Sequence, residues 1–257
     1  MEFPPLLTFP YFFVTSPLSN ARHSLSLTHP STLLAALFIL HYINRSIVST
    51  LRMPSRARIH MAVIPMTSVF NAANGFAMAA YLSSPLAHTY LLHAFTRPIF
   101  YVFLAMWTIG FIGNIAHDEI LYDLRRNPTA KKKSTRTRVG KNDVVLLANK
   151  EWYGVPHGLL YKYISFPNYL CELFEWLAFA LAAAPLPPIS KVIECFSILS
   201  FNSILYNDVP PEFAHPYLFL VATLLPMVPR AYRAHRWYHK TFPQYPKERK
   251  AIVPFVF

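Results

Sequence analysis

The sequence predicts an all-α protein: a multi-span integral membrane bundle of about six spans. Three observations carry this. Hydrophobic residues make up 54% and charged residues 14% of the 257 residues, against about 25% charged in an average soluble protein. Long apolar runs recur at 3–15, 31–50, 60–82, 95–116, 168–187 and 213–229. The basic residues are segregated: with those spans, 20 of the 24 Lys and Arg fall on one side and three on the other. That asymmetry orients the basic side to the cytosol. It also assigns the net charge of +12 to topology, so no nucleic-acid partner is expected. Six glycines and 23 prolines suit interrupted helices better than a sheet. The whole chain, 1–257, reads as a single membrane domain.

The first span opens MEFPPLLTFPYFFV. It lacks the basic leader and small-residue cleavage site of a signal peptide and reads as the end of a hydrophobic span within a longer membrane domain. The second, STLLAALFILHYINRSIVST, is interrupted by His41, Tyr42, Asn44 and Arg45. Tyr42 and Arg45, three apart, lie near one helical face; alone, the pair also fits a snorkelling arginine beside an interfacial tyrosine. The basic loop LRMPSRAR reads as a topology signal. Asn71 and Asn74 in the third span read as interhelical contacts. The fourth span ends in FIGNIAHDEILYDLRR, where Asn114, Asp118 and Arg125 share a face at about 0°, 40° and 20°. A basic, unpatterned cytosolic loop follows at 127–151. Residues 188–212 hold a run too short to span and carry Glu194, an interfacial or re-entrant piece. Cys171 and Cys195 read as free thiols.

The fifth span carries the strongest chemical signal. In YISFPNYLCELFEW, Asn168, Glu172, Glu175 and Trp176 form one stripe at about 0°, 40°, −20° and 80°. A charge at the bilayer centre costs about 2.5–3.5 kcal/mol on insertion scales. Two carboxylates and an amide there point to a polar ligand or watery cavity. In the tail, Arg230, Arg233 and Trp237 share a face beside Tyr238. His235 and His239, four apart, have metal spacing but no further partners, so no metal is expected. No G-x-G-x-x-G occurs, which removes a Rossmann domain.

The segments HYINRSIV, NIAHDEILYDLR, SFPNYLCELFEWLAFAL and HRWYHKTFPQYPKERKAIVPFVF together resemble the C-terminal domain of the steroid 5α-reductase family, the 3-oxo-5-alpha-steroid 4-dehydrogenases. The resemblance runs from about residue 38 to 257. It implies a multi-pass protein of the endoplasmic reticulum membrane, its helical bundle enclosing a cofactor and lipid cavity. It further implies NADPH-dependent reduction of the carbon–carbon double bond of a 3-oxo-4-ene steroid or similar enone lipid. By the same resemblance Tyr42 matches the tyrosine that hydrogen-bonds the substrate ketone, and Glu2 the glutamate that works with it. Arg45, Arg56, Asn114, Asp118, Arg125, Tyr153, Asn168, Glu172, Arg230 and Tyr238 fall on positions that surround the dinucleotide. These residue types suit that chemistry. Hydride attack on an enone drives charge onto the carbonyl oxygen, which a fixed hydroxyl stabilises in the transition state. Arginines bind phosphates bidentately.

The chain departs from the family pattern in places. Gly154 replaces a basic residue after the tyrosine, and Ala234 stands where animal members have histidine. The family has a further span and part of another before Glu2. Two other readings accompany the reductase: a membrane methyltransferase using S-adenosylmethionine, and an inactive truncated reductase relative. The run from Asn114 to Arg125 and the Glu175–Trp176 pair favour the reductase. The sequence leaves the oligomeric state open; membrane lipids are expected partners.

Overall fold

Proline, disruptive inside a helix, is well placed at its first turn, where no backbone donor is needed. Helices α1 (Pro5–Thr15), α2 (Pro30–Ile43), α5 (Pro85–Leu91), α6 (Pro98–Arg125) and α7 (Pro167–Ala183) all begin on one. Side chains complete two of these starts: His29 accepts from Ser31 N at 3.2 Å, and Ser84 from Ala87 N at 3.2 Å. Among the described residues, the other α-helices are α3 (Ser49–Arg52), α4 (Val63–Leu82) and α8 (His215–Thr241). Between α2 and α3 the chain widens into a π-helical turn, Asn44–Val48, where Ser46 Oγ donates to Tyr42 O at 2.6 Å.

This computed structural model describes residues 2–19, 28–54, 61–126, 144–146, 152–187 and 215–255. Each of the six apolar runs contains a helix. Among the described residues, two helical stretches, Pro30–Arg52 and Pro98–Arg125, are long and apolar enough to cross a membrane. Their exposed faces are strongly apolar, with Ile109 66% and Leu51 81% exposed, which suits a lipid surround. The all-α expectation needs one amendment. Strands β1 (Val144–Leu146) and β2 (Trp152–Gly154) pair antiparallel, with Val145 opposite Tyr153. Arg56, the 188–212 insertion and most of 127–151 lie outside the described residues.

The chain falls into two compact units. The first comprises residues 1–46, 60–105 and 176–222. There α1 packs along α4, and the core is aromatic. Phe38 stacks on Phe9 at 4.4 Å and packs against Tyr42 at 4.8 Å and Trp176 at 5.8 Å. The second unit comprises residues 47–59, 106–175 and 223–257. Its tail lies beside the entry to α7: Ser165 N donates to Lys250 O at 2.9 Å and Phe166 N to Ala251 O at 3.0 Å.

Candidate functional site

In the second unit, two glycines let α7 come very close to α6. A Cβ on Gly110 would lie 2.8 Å from Glu175 N and 2.9 Å from Cys171 O, and one on Gly113 would lie 2.8 Å from Cys171 Sγ. At that spacing the polar stripes of the two helices meet. Asn114 Nδ2 donates to Asn168 O at 3.0 Å and to Glu172 Oε2 at 3.1 Å. Asn168 Nδ2 donates to Asp118 Oδ1 at 2.9 Å. All four residues are buried, between 2% and 7% exposed, and so is Glu175. Such groups persist in an apolar interior when they are hydrogen-bonded. Asn168 Oδ1 is buried with no hydrogen-bond partner among the described residues.

Two arginines of the same unit are held against aromatic rings. The Arg125 guanidinium sits over the Tyr153 ring at 5.3 Å, which couples the end of α6 to β2. Arg249 is buried, 4% exposed. Its Nη2 lies 3.4 Å from His157 Nδ1 and its guanidinium 5.1 Å from the Tyr245 ring. Its Nε and Nη1 have no hydrogen-bond partner among the described residues. Tyr238 is buried in a stack with Phe242 and Tyr245, at 5.7 and 5.2 Å. Burial first, then the neighbouring Tyr245, pushes its phenol up from the ordinary value, so it stays a neutral hydroxyl. Ser165 Oγ joins His235 Nδ1 and Tyr245 Oη, both at 2.6 Å. Burial, then His239 and Lys250, pulls the His235 imidazole down from its usual range. Arg230 is exposed and belongs to none of these networks.

The first unit holds the other predicted pair. Tyr42 is 5% exposed, packed 6.3 Å from Trp176, whose ring also meets His41 at 4.5 Å. Glu2 Oε2 pairs with Arg45 Nε at 3.4 Å, just past Tyr42. Arg45, read from sequence as a dinucleotide residue, is thus paired with Glu2. The pair is partly exposed, 42% for Glu2 and 19% for Arg45.

Among the described residues, the surface hollows of the second unit include two. One, of about 390 Å³, is lined by apolar residues including Ile109, Ile112 and Leu159, with His117. The other, of about 340 Å³, is lined by Arg233, Arg236, Trp237 and Lys240. Neither is the enclosed cavity expected from the sequence.

Sequence reasoning missed Arg249, which was counted with the basic tail as a topology signal. Its one distinguishing mark was its place within the HRWYHKTFPQYPKERKAIVPFVF motif. The Ser165–His235–Tyr245 set was missed as well, because its members lie on three separated segments.

A family model described as 3-oxo-5-alpha-steroid 4-dehydrogenase matches residues 140–205 and 194–257. The chain is 30% identical to 3-oxo-5-alpha-steroid 4-dehydrogenase 2 of Macaca fascicularis, over 92% of its own length and 73% of that protein. The chain belongs to the 3-oxo-5-alpha-steroid 4-dehydrogenase family. Two further similarities extend the family match. It is 28% identical to 3-oxo-5-alpha-steroid 4-dehydrogenase 1 of Rattus norvegicus, covering 88% of this chain and 68% of the relative. It is 35% identical to an uncharacterized protein of Schizosaccharomyces pombe, covering 87% and 67%. The two apolar helices fit the membrane character of this 5α-reductase family.

Proposed function

We propose that the chain is an NADPH-dependent oxidoreductase of the endoplasmic reticulum membrane, spanning it several times. Its substrate is a 3-oxo-4-ene steroid or a similar enone lipid. Family membership supports an oxidoreductase acting on a CH–CH group. The observation that carries the cofactor reading is the network around Asn168. Its buried, open Oδ1 fits the amino group of a nicotinamide carboxamide. Arg249, with two buried nitrogens open, fits a phosphate oxygen, as do Arg125, Arg230, Arg56 and Arg45 by type. Asn114, Asp118 and Glu172 hold Asn168 in place; Tyr153 and Tyr238 supply ring surface and a neutral hydroxyl.

Bound NADPH would supply the hydride. The chain's own part is to hold the enone oxygen. The Tyr42 hydroxyl donates to it, and that bond strengthens as charge moves from the β-carbon toward oxygen. Glu2, held by Arg45, works beside it. A hydride at the β-carbon and a proton at the α-carbon leave the product two hydrogens heavier.

The test uses membranes from cells expressing the chain, supplied with NADPH and a 3-oxo-4-ene steroid. The expected result is loss of reduced-nicotinamide absorbance with a product two mass units heavier. Methyl transfer without NADPH consumption would overturn the reading. Tyr42→Phe should lower kcat by about 10²–10³-fold while NADPH binding stays within about twofold.

A further inference from the structure

Buried hydroxyls in the first unit find carbonyls. Tyr81 Oη donates to Ala183 O at 3.2 Å, Tyr217 Oη to Ala184 O at 3.3 Å, and Ser83 Oγ to Ala79 O at 2.8 Å. Two other buried polar atoms of that unit do not follow suit. Asn74, on α4, is 8% exposed, and its Nδ2 is buried with no acceptor among the described residues. His215, at the start of α8, has a buried Nε2 with no partner among them. The two residues touch, because the His215 ring bonds the Asn74 backbone. A ring nitrogen that meets a carbonyl carries the hydrogen, so Nδ1 is the donor and Nε2 is left an acceptor.

An amide donor and an imidazole acceptor on two contacting residues together complement a single alcohol, which accepts one hydrogen bond and donates another. In an apolar interior such a pair is costly to leave open. The pair is also connected to the proposed carbonyl donor. The His215 ring lies 6.5 Å from Phe219, Phe219 lies 4.6 Å from Trp176, and Trp176 lies 6.3 Å from Tyr42. All of these side chains belong to the first unit.

We propose that Asn74 and His215 bind a hydroxyl group on the lipid substrate, at the end remote from its enone. The proposal rests on the reductase reading and adds a specificity determinant to it. A polar site that pairs with a substrate hydroxyl disfavours the analogue lacking it, since its own groups then stay buried and unpaired.

The experiment compares two 3-oxo-4-ene steroids that differ only by a hydroxyl at the remote end. KM and kcat are measured in membranes, and ligand protection against thermal unfolding is measured on the full chain in detergent. For the unaltered protein, the hydroxylated compound should show a KM about tenfold lower. Asn74→Leu and His215→Phe should each remove most of that preference, the KM of the hydroxylated compound rising toward that of the deoxy compound. His215→Gln, which keeps an acceptor, should retain part of it. Equal KM for the two compounds in the unaltered protein would overturn the proposal. So would an equal loss for both compounds in the variants, since the pair would then hold only a water or support the packing. If neither compound is reduced, the reductase reading fails. Selective thermal protection by the hydroxylated compound, lost in His215→Phe, would still decide the site.

Discussion

Asn168 is held on two sides and open on a third. Its backbone carbonyl accepts from Asn114 and its Nδ2 donates to Asp118, while Oδ1 stays buried and unpartnered among the described residues. A side chain fixed by its neighbours loses little freedom when a ligand arrives, which is how a rigid site gains affinity. Arg249 resembles it in kind: buried, anchored at one nitrogen, open at two. Truncating a group that bonds a ligand costs about 0.5–1.5 kcal/mol when neutral and about 1.5–3 kcal/mol when charged. Asn168→Ala should therefore weaken NADPH binding by roughly two- to tenfold, and Arg249→Ala by roughly ten- to hundredfold. Equilibrium binding followed by nicotinamide fluorescence reads both. An Arg249→Ala protein that binds NADPH normally would remove this residue from the site.

At the scale of elements, the decisive contact is that of α6 with α7, set by Gly110 and Gly113. The space a Cβ would need at Gly110 is already filled by the α7 backbone. Gly110→Val should force the helices apart and destabilise the fold by about 1–3 kcal/mol. It should also break the Asn114–Glu172 bond, so a lower melting temperature in detergent should come with weaker NADPH binding. A melting temperature unchanged from the parent would show that the contact is loose. The helices themselves were legible in the sequence, since lipid and protein core ask for the same apolar side chains. Helix α6 continues to Arg125 and α8 to Thr241, beyond the apolar runs, in keeping with the shared faces of Asn114, Asp118 and Arg125 and of Arg230, Arg233 and Trp237. The ribbon of Val144–Leu146 with Trp152–Gly154 was not legible, as three residues are too few to show a period. The stripe at Asn168 was legible because its members share one helix. Arg249 was not, because burial of a tail arginine depends on what packs over it.

Across the whole molecule, the two halves of the proposed chemistry are assigned to different compact units. Tyr42 and Glu2 belong to the first, and the Asn168 network, Arg125 and Arg249 to the second. The stability of the second unit should depend on pH through His235. Its imidazole, bonded to Ser165, has its proton affinity lowered below the usual 6.5 by burial first, then by the neighbouring His239 and Lys250. The unfolded chain then takes up a proton before the folded one does. The contribution is complete above about pH 6.5 and is lost as pH falls from there through the folded value. The melting temperature should hold steady above that point and drop below it. His235→Gln should flatten the drop relative to the parent; an identical profile would show that His235 has no part in it.

The pairing of the tail with the entry to α7 also bears on genetics. Lys250 and Ala251 receive the backbone donors of Ser165 and Phe166, and Lys250 N donates to Tyr163 O at 3.0 Å, just ahead of Asn168. A nonsense codon at Glu248 would spare every apolar helix named above. It would nonetheless strip the brace from the segment that delivers Asn168, together with Arg249 itself. Frameshifts that replace the chain from Glu248 onward should therefore behave as null alleles in spite of normal insertion into the membrane.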